Sequence, residues 1–195
     1  MADPANECFA LRREDGSLTG EIKTARVSCT ATATCTARAT YFWRGCAAEG
    51  PNCCCRSAAH RRTRSRVCMI FRRPGYLDPG EDFAAAARRE LAEELGVTGE
   101  EPEFLFAQRN EYHGAFHGKP FHDNEIAWVY LLVLDRPEEA FTPEACEVES
   151  VHWFSVREIL RAMRENDPRF CLREAEFCRL LPYLAQKFGI PVDKL

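Results

Sequence analysis

Three glutamates, Glu90, Glu93 and Glu94, are spaced i, i+3 and i+4 along the chain. On an α-helix that spacing sets three carboxylates on one face. Without a cation the group repels itself, and the pKa of at least one member rises. A hard divalent ion with oxygen ligands, magnesium or manganese, removes the conflict and also bridges phosphate oxygens.

The flanking sequence supplies the helix that this chemistry needs. Phe83, Ala87, Leu91 and Leu95 recur every four residues and mark one apolar face, with Gly96 as the stop. That stripe lies beside the carboxylates. It predicts a helix pinned to a sheet with its acidic groups pointing outward. A glutamate-rich helix alone is most often a solvated face, but here Gly75, Arg89 and Gly96 also fall at fixed offsets.

Residues 75–97 read GYLDPGEDFAAAARRELAEELGV. Gly75 is followed after five residues by Glu81, and after seven more by Arg89, Glu90 and Leu91. Glu93, Glu94, Gly96 and Val97 complete a pattern that resembles the Nudix box at all its specified positions. The chain thus resembles the Nudix hydrolase superfamily over about residues 75–190. The resemblance implies an α/β (α+β type) fold, a Nudix-like α/β/α sandwich whose mixed sheet is flanked by helices. It implies Glu93 and Glu94 as metal ligands, Glu90 as ligand or general base, and Arg89 as the residue that orients it. Glu81 would tie the start of the helix to Arg89, with Gly75 and Gly96 as structural positions of the box. The catalytic set is then Glu90, Arg89 and Glu94, with Mg2+ (or Mn2+) as cofactor. The implied reaction is attack of water on phosphorus, the metal screening the phosphate charge and stabilising the leaving oxygen.

Outside the box, Glu125 is the best further metal ligand. With Asp123 it resembles the Glu-x-Glu pattern of isopentenyl-diphosphate isomerases, a Nudix branch, and residues 74–79 resemble the approach sequence of that subgroup. Isomerisation in that branch relies on a cysteine before the box. Residues 76–80 contain none, and Cys68 lies far upstream. Glu144, Glu147 and Glu149 are other candidate acids. His113, His117, His122 and His152 are drawn loosely to the same loop, where phosphate or metal is one reading and plain exposure the commoner one. Tyr112, Phe116 and Phe121 suit either a stacking wall or core packing.

At 195 residues, 46% hydrophobic and 29% charged, the chain suits one globular domain. No apolar run reaches the length of a membrane span, and residues 1–7 lack the pattern of a secretory leader. A cytoplasmic location is the default expectation. The net charge of -4 argues against a nucleic-acid coat protein, and no nucleic-acid partner is expected; the resemblance implies a small diphosphate substrate. Arginines 56, 61, 62, 64, 66, 72 and 73 form a basic run, and facing an acidic metal site it would attract a polyanion. Of the 11 cysteines none forms a Cys-x-x-Cys pair, so zinc of that kind is not expected.

Three divisions follow: a lead-in at 1–27, a basic, cysteine-rich stretch at 28–73 that is part of the sheet or disordered, and a Nudix domain at 75–190. Strands are predicted at 103–108, 126–134 and 151–154, with weaker signals at 39–43 and 67–71. Ser155 and Glu158 form a capping box that opens a helix. A second helix is expected over 172–188, kinked or split by Pro182. The leading functional reading is a metal-dependent hydrolase of nucleoside diphosphate derivatives or similar X-linked diphosphates. An isomerase-like enzyme and a catalytically impaired binding module are the alternatives.

Overall fold

The computed structural model describes residues 8–13, 17–24, 41–47, 50–58, 69–70, 77, 80–116, 119–145, 148–170, 174–189 and 191–194. Strands β1 (Cys8–Arg12) and β2 (Leu18–Thr24) form a separate antiparallel ribbon. The main sheet holds β3 (Tyr41–Ala47), β4 (Gly50–Ala58), β5 (Met69–Ile70), β6 (Glu103–Phe116), β7 (Lys119–Leu134) and β8 (Val148–Ser155). Asn52 and Cys53 pair with both β3 and β8, whereas Arg56 and Ser57 pair with both β5 and β8. β3 and β5 therefore share one edge of β4 at different heights, and β8 takes the other. β3 runs parallel to β7, and the remaining pairs are antiparallel, so the sheet is mixed. Among its described residues, the cysteine-rich stretch contributes β3, β4 and β5 to this sheet.

β7 explains why the molecule is layered. Its residues alternate between two cores, as side chains of a strand must. Trp128, Tyr130, Leu132 and Leu134 meet α1 (Phe83–Leu95), together with Phe141, Val148 and Val151. Val129 and Leu131 face the other way, onto α2 (Val156–Arg164) and α3 (Glu174–Phe188), where Ile159, Leu180 and Leu184 have no exposed surface. A strand covered on both sides needs an unbroken apolar run, which residues 126–134 supply.

Two expectations need correction. β6 and β7 are longer than their apolar cores, so residues 121–125 lie within β7 rather than in a loop. α3 is not split at Pro182. The proline frees the carbonyl of Cys178, an exposed position, while Leu180, Leu181 and Leu184 anchor the helix in the core. No described helix is long and apolar enough to cross a membrane.

Candidate active site

α1 is fixed at both ends by local chemistry. Asp82 caps its start, its Oδ1 accepting from the Ala85 amide at 2.7 Å. Gly96 ends it at φ 65°, its amide donating to the Ala92 carbonyl at 3.0 Å, and Val97 donates to the Leu91 carbonyl at 3.1 Å. A Cβ at Gly96 would sit 1.7 Å from Thr142 Oγ1, and the Thr142 amide donates to the Leu95 carbonyl at 3.1 Å. Glycine is required there twice, for the left-handed backbone and for the close approach of the chain beyond β7.

Between these caps Arg89 gathers the acids. Its Nε and Nη2 donate to the two oxygens of Glu81, each at 2.9 Å, in a forked pair. Its Nη1 donates to Glu90 Oε1 at 2.6 Å and to Glu93 Oε2 at 3.0 Å. The Glu81 pair, reinforced by the field of Glu90, holds the guanidinium well above the usual arginine range against the opposing effect of partial burial. Arg89 is thus a permanent cation. Glu81 and Glu90 keep 14% and 15% of their side chains exposed and Glu93 keeps 51%, so the group opens to solvent at Glu93.

The carboxylates are not all turned outward. Glu94 is buried at 7% exposure, because the contact face of α1 is wider than its apolar stripe. Among the described residues no three His, Cys, Asp or Glu side chains are gathered as a metal-holding group. Glu90 and Glu93 share a guanidinium donor. Their donor chemistry nevertheless suits a hard divalent ion, being oxygen-only and anionic.

The remaining sequence candidates are dispersed. Gly75, His117 and Glu147 lie outside the described residues. Glu125 stands in β7 opposite Asn110. Asp123 is opposite Tyr112 and His113 opposite His122, while Phe116 and Phe121 also lie in the two strands. Glu144 is exposed and Glu149 lies in β8. His152 is on β8, its Nδ1 3.2 Å from Glu138 Oε2. Glu138 also accepts from the Trp153 amide at 2.7 Å, a clamp the sequence reading did not contain. Asp82 was missed as well, although an aspartate just before an apolar-periodic run is an N-cap signal. Also unforeseen was the stack of Phe83 on Trp128, ring centroids 4.1 Å apart, with the Arg12 guanidinium 4.7 Å from the centroid of Phe83.

Comparison with known proteins is decisive at the level of family. The family model described as NUDIX domain matches residues 60–174, more than half of the chain. The chain belongs to the Nudix family. That places it in a family of pyrophosphate hydrolases. An isopentenyl-diphosphate Delta-isomerase of Ruegeria pomeroyi is 33% identical over 93 residues, which is 48% of this chain and 49% of that protein. One from Cereibacter sphaeroides is 34% identical over 92 residues, 47% and 49% of the respective chains. The chain thus spans about half the length of the curated relatives it matches. A solved protein from Deinococcus radiodurans superposes with a TM-score of 0.56 at 14% identity, covering 82% of this chain and 90% of its own. A Nudix hydrolase from M. smegmatis gives 0.54 at 13% identity, covering 91% and 94%. At such identity the likeness is one of fold: the Nudix α/β/α sandwich with its mixed sheet.

Proposed function

We propose that this Nudix chain hydrolyses a diphosphate linkage in a nucleoside diphosphate derivative or another X-linked diphosphate. The observation that carries the proposal is the Arg89 centre on a doubly capped helix, with Glu81, Glu90 and Glu93 all bound to one guanidinium. Mg2+ or Mn2+ would be held by Glu90, Glu93 and Glu94, with Glu125 as a further ligand by family resemblance. Glu93 is the side chain with room to turn away from Arg89, being half exposed. When bound, the ion supplies charge neutralisation at phosphate and stabilises the leaving oxygen. Glu90 accepts the proton of the attacking water, and Arg89 fixes the direction from which it does so. The small substrate needs neither membrane nor nucleic acid, and the chain would act in the cytoplasm.

A panel of diphosphate compounds, assayed with magnesium for the two phosphomonoester products, tests the reading. Glu93→Gln and Glu94→Gln should each lower kcat by about 10²–10³-fold, as removal of a stabilising charge from a preorganised site does. Unchanged turnover in both variants would falsify it. The kinship with isopentenyl-diphosphate isomerases favours a second reading, allylic isomerisation, supported by identity over about half of those enzymes. Proton NMR on isopentenyl diphosphate separates the two reactions. Tight ligand binding without turnover at any metal concentration would instead leave an impaired binding module.

A further inference from the structure

Among the described strands β8 pairs only with β4, so its outer edge is left to the connection that arrives from β7. Glu138 fills that edge. Its Oε1 accepts from the Trp153 amide at 2.7 Å, a charge-assisted bond, and its Oε2 lies 3.2 Å from His152 Nδ1. The Trp153 indole donates to the Arg136 carbonyl at 3.1 Å, just upstream. A 3-10 turn (Glu138–Ala140) then stiffens the chain, with the Ala140 amide on the Pro137 carbonyl at 3.1 Å and the Phe141 amide on the Glu138 carbonyl at 3.2 Å. Phe141 is 5% exposed and packs with Leu91, Leu95 and Val97, its ring centroid 5.9 Å from that of Trp153. The Thr142 amide, next along, donates to the Leu95 carbonyl at 3.1 Å, while Thr142 Oγ1 closes on Gly96. The Leu95 carbonyl is among the last four of α1, which lack a donor inside a regular helix.

We propose that Glu138 is a positioning residue for the acid centre: clamped to β8, it holds residues 138–142 as a strap that fixes the last turn of α1, and with it Glu93 and Glu94. The two anchors, Glu138 and Thr142, flank a segment stiffened by its own turn. A displacement at Glu138 therefore reaches Thr142 instead of being absorbed between them. The last turn of α1 is where such a displacement matters. Glu93 and Glu94 directly precede Leu95, whose carbonyl the strap holds. The other end of the helix is set locally, by the Asp82 cap and by the forked pair of Glu81 with Arg89. A carboxylate that must meet a reacting group tolerates little misplacement, so a contact remote from the chemistry can govern rate. The effect on turnover rests on the hydrolase reading; the mechanical coupling from β8 to α1 does not.

Amide exchange on the full chain, followed residue by residue by NMR, tests the coupling. The reporters are the Gly96 and Val97 amides, which donate into the last turn of α1, and the Thr142 amide itself. In Glu138→Ala all three should exchange about tenfold faster, as loss of one charge-assisted bond implies. Glu138→Gln retains an oxygen for the Trp153 amide and should bring the rates back to within about twofold of wild type. The Glu165 and Asn166 amides at the end of α2, in the other layer, are the reference and should not change. Wild-type rates at Gly96 and Val97 in Glu138→Ala would overturn the proposal. So would an equal rise at Glu165 and Asn166, which marks a general loosening, or a glutamine variant no better than alanine. On a diphosphate that the wild type hydrolyses, kcat should fall about tenfold in Glu138→Ala with KM nearly unchanged, and recover in Glu138→Gln. An unchanged kcat beside faster exchange at α1 would refute the positioning role, whereas a wild type without hydrolytic activity counts against the hydrolase reading alone.

Discussion

Arg89 illustrates how one side chain can order several others. Its five donors lie in a rigid plane, and here they are divided between a forked pair to Glu81 and single bonds to Glu90 and Glu93. Lysine is a point charge on a flexible stem and cannot hold that arrangement. Arg89→Lys should therefore keep the positive charge but lose the direction of Glu90. We expect kcat to fall about 100-fold with KM nearly unchanged, the cost of a misplacement of about 1 Å. Steady-state kinetics on the diphosphate substrate checks this; a matching rise in KM would mean that Arg89 binds substrate instead. Gly96 makes a different kind of contribution. Its left-handed φ and the 1.7 Å approach to Thr142 predict that Gly96→Ala destabilises the fold by about 1–3 kcal/mol. Urea titration measures it, and a loss below a few tenths of a kcal/mol would show that neither constraint matters. Both residues were legible in the chain, since fixed offsets mark Arg89 and Glu81, and a glycine after the last apolar position marks a helix end. The burial of Glu94 was not. Helical spacing states which face a residue shares, but not how far the neighbouring sheet reaches around the helix.

Elements were legible where local signals agree with tertiary demand. α1 ends as its apolar stripe and glycine require, and α2 opens on its capping box. There the Glu158 amide donates to Ser155 Oγ at 3.2 Å, and Glu158 Oε2 accepts from the Ser155 amide at 2.7 Å. β4 was illegible, because Cys53, Cys54 and Cys55 give no apolar–polar alternation, and its place in the sheet comes from pairing on both edges. The outer halves of β6 and β7 were hidden for a similar reason: they pair with each other and carry polar residues. Tyr130, beneath the first turns of α1, was not foreseen either. It is 3% exposed, and its hydroxyl has no hydrogen-bond partner among the described residues. Burial, with a smaller effect from Asp82, pushes the phenol up to about 12. The neutral form is the one the fold favours, so its contribution is fully present below the ordinary value near 10 and is lost as pH rises from about 10 to 12. Tyr130→Phe should lose less stability than the wild type across that window. At neutral pH it should gain on the order of 1 kcal/mol, because the orphaned hydroxyl is gone. Denaturant melts at neutral and alkaline pH decide the matter, and identical pH dependence in the two proteins would refute the burial argument.

For the whole molecule, β7 supplies residues to the clusters on both faces of the sheet. Leu91 belongs to the α1 side and Leu180 to the side of α2 and α3; they are 2% and 0% exposed. If the sandwich is one cooperative unit, loss of either layer exposes the reverse face of β7 and melts the other. Leu91→Ala and Leu180→Ala should then each cost about 2–5 kcal/mol and shift a single transition without splitting it. The residues lie on opposite faces and share no cluster, so their effects should add to within about 0.5 kcal/mol. Domains of this kind hold only about 5–15 kcal/mol, so the double variant should stand at or past the edge of unfolding. Thermal melts followed by far-ultraviolet circular dichroism, alongside tryptophan fluorescence in a Trp43→Phe background that leaves Trp128 and Trp153 near α1 as reporters, provide the measurement. Coincident curves in both single variants support one unit. A Leu180→Ala protein whose fluorescence transition stays at the wild-type temperature while its helical signal melts early would show that the α1 layer, and the Arg89 centre on it, folds without the other.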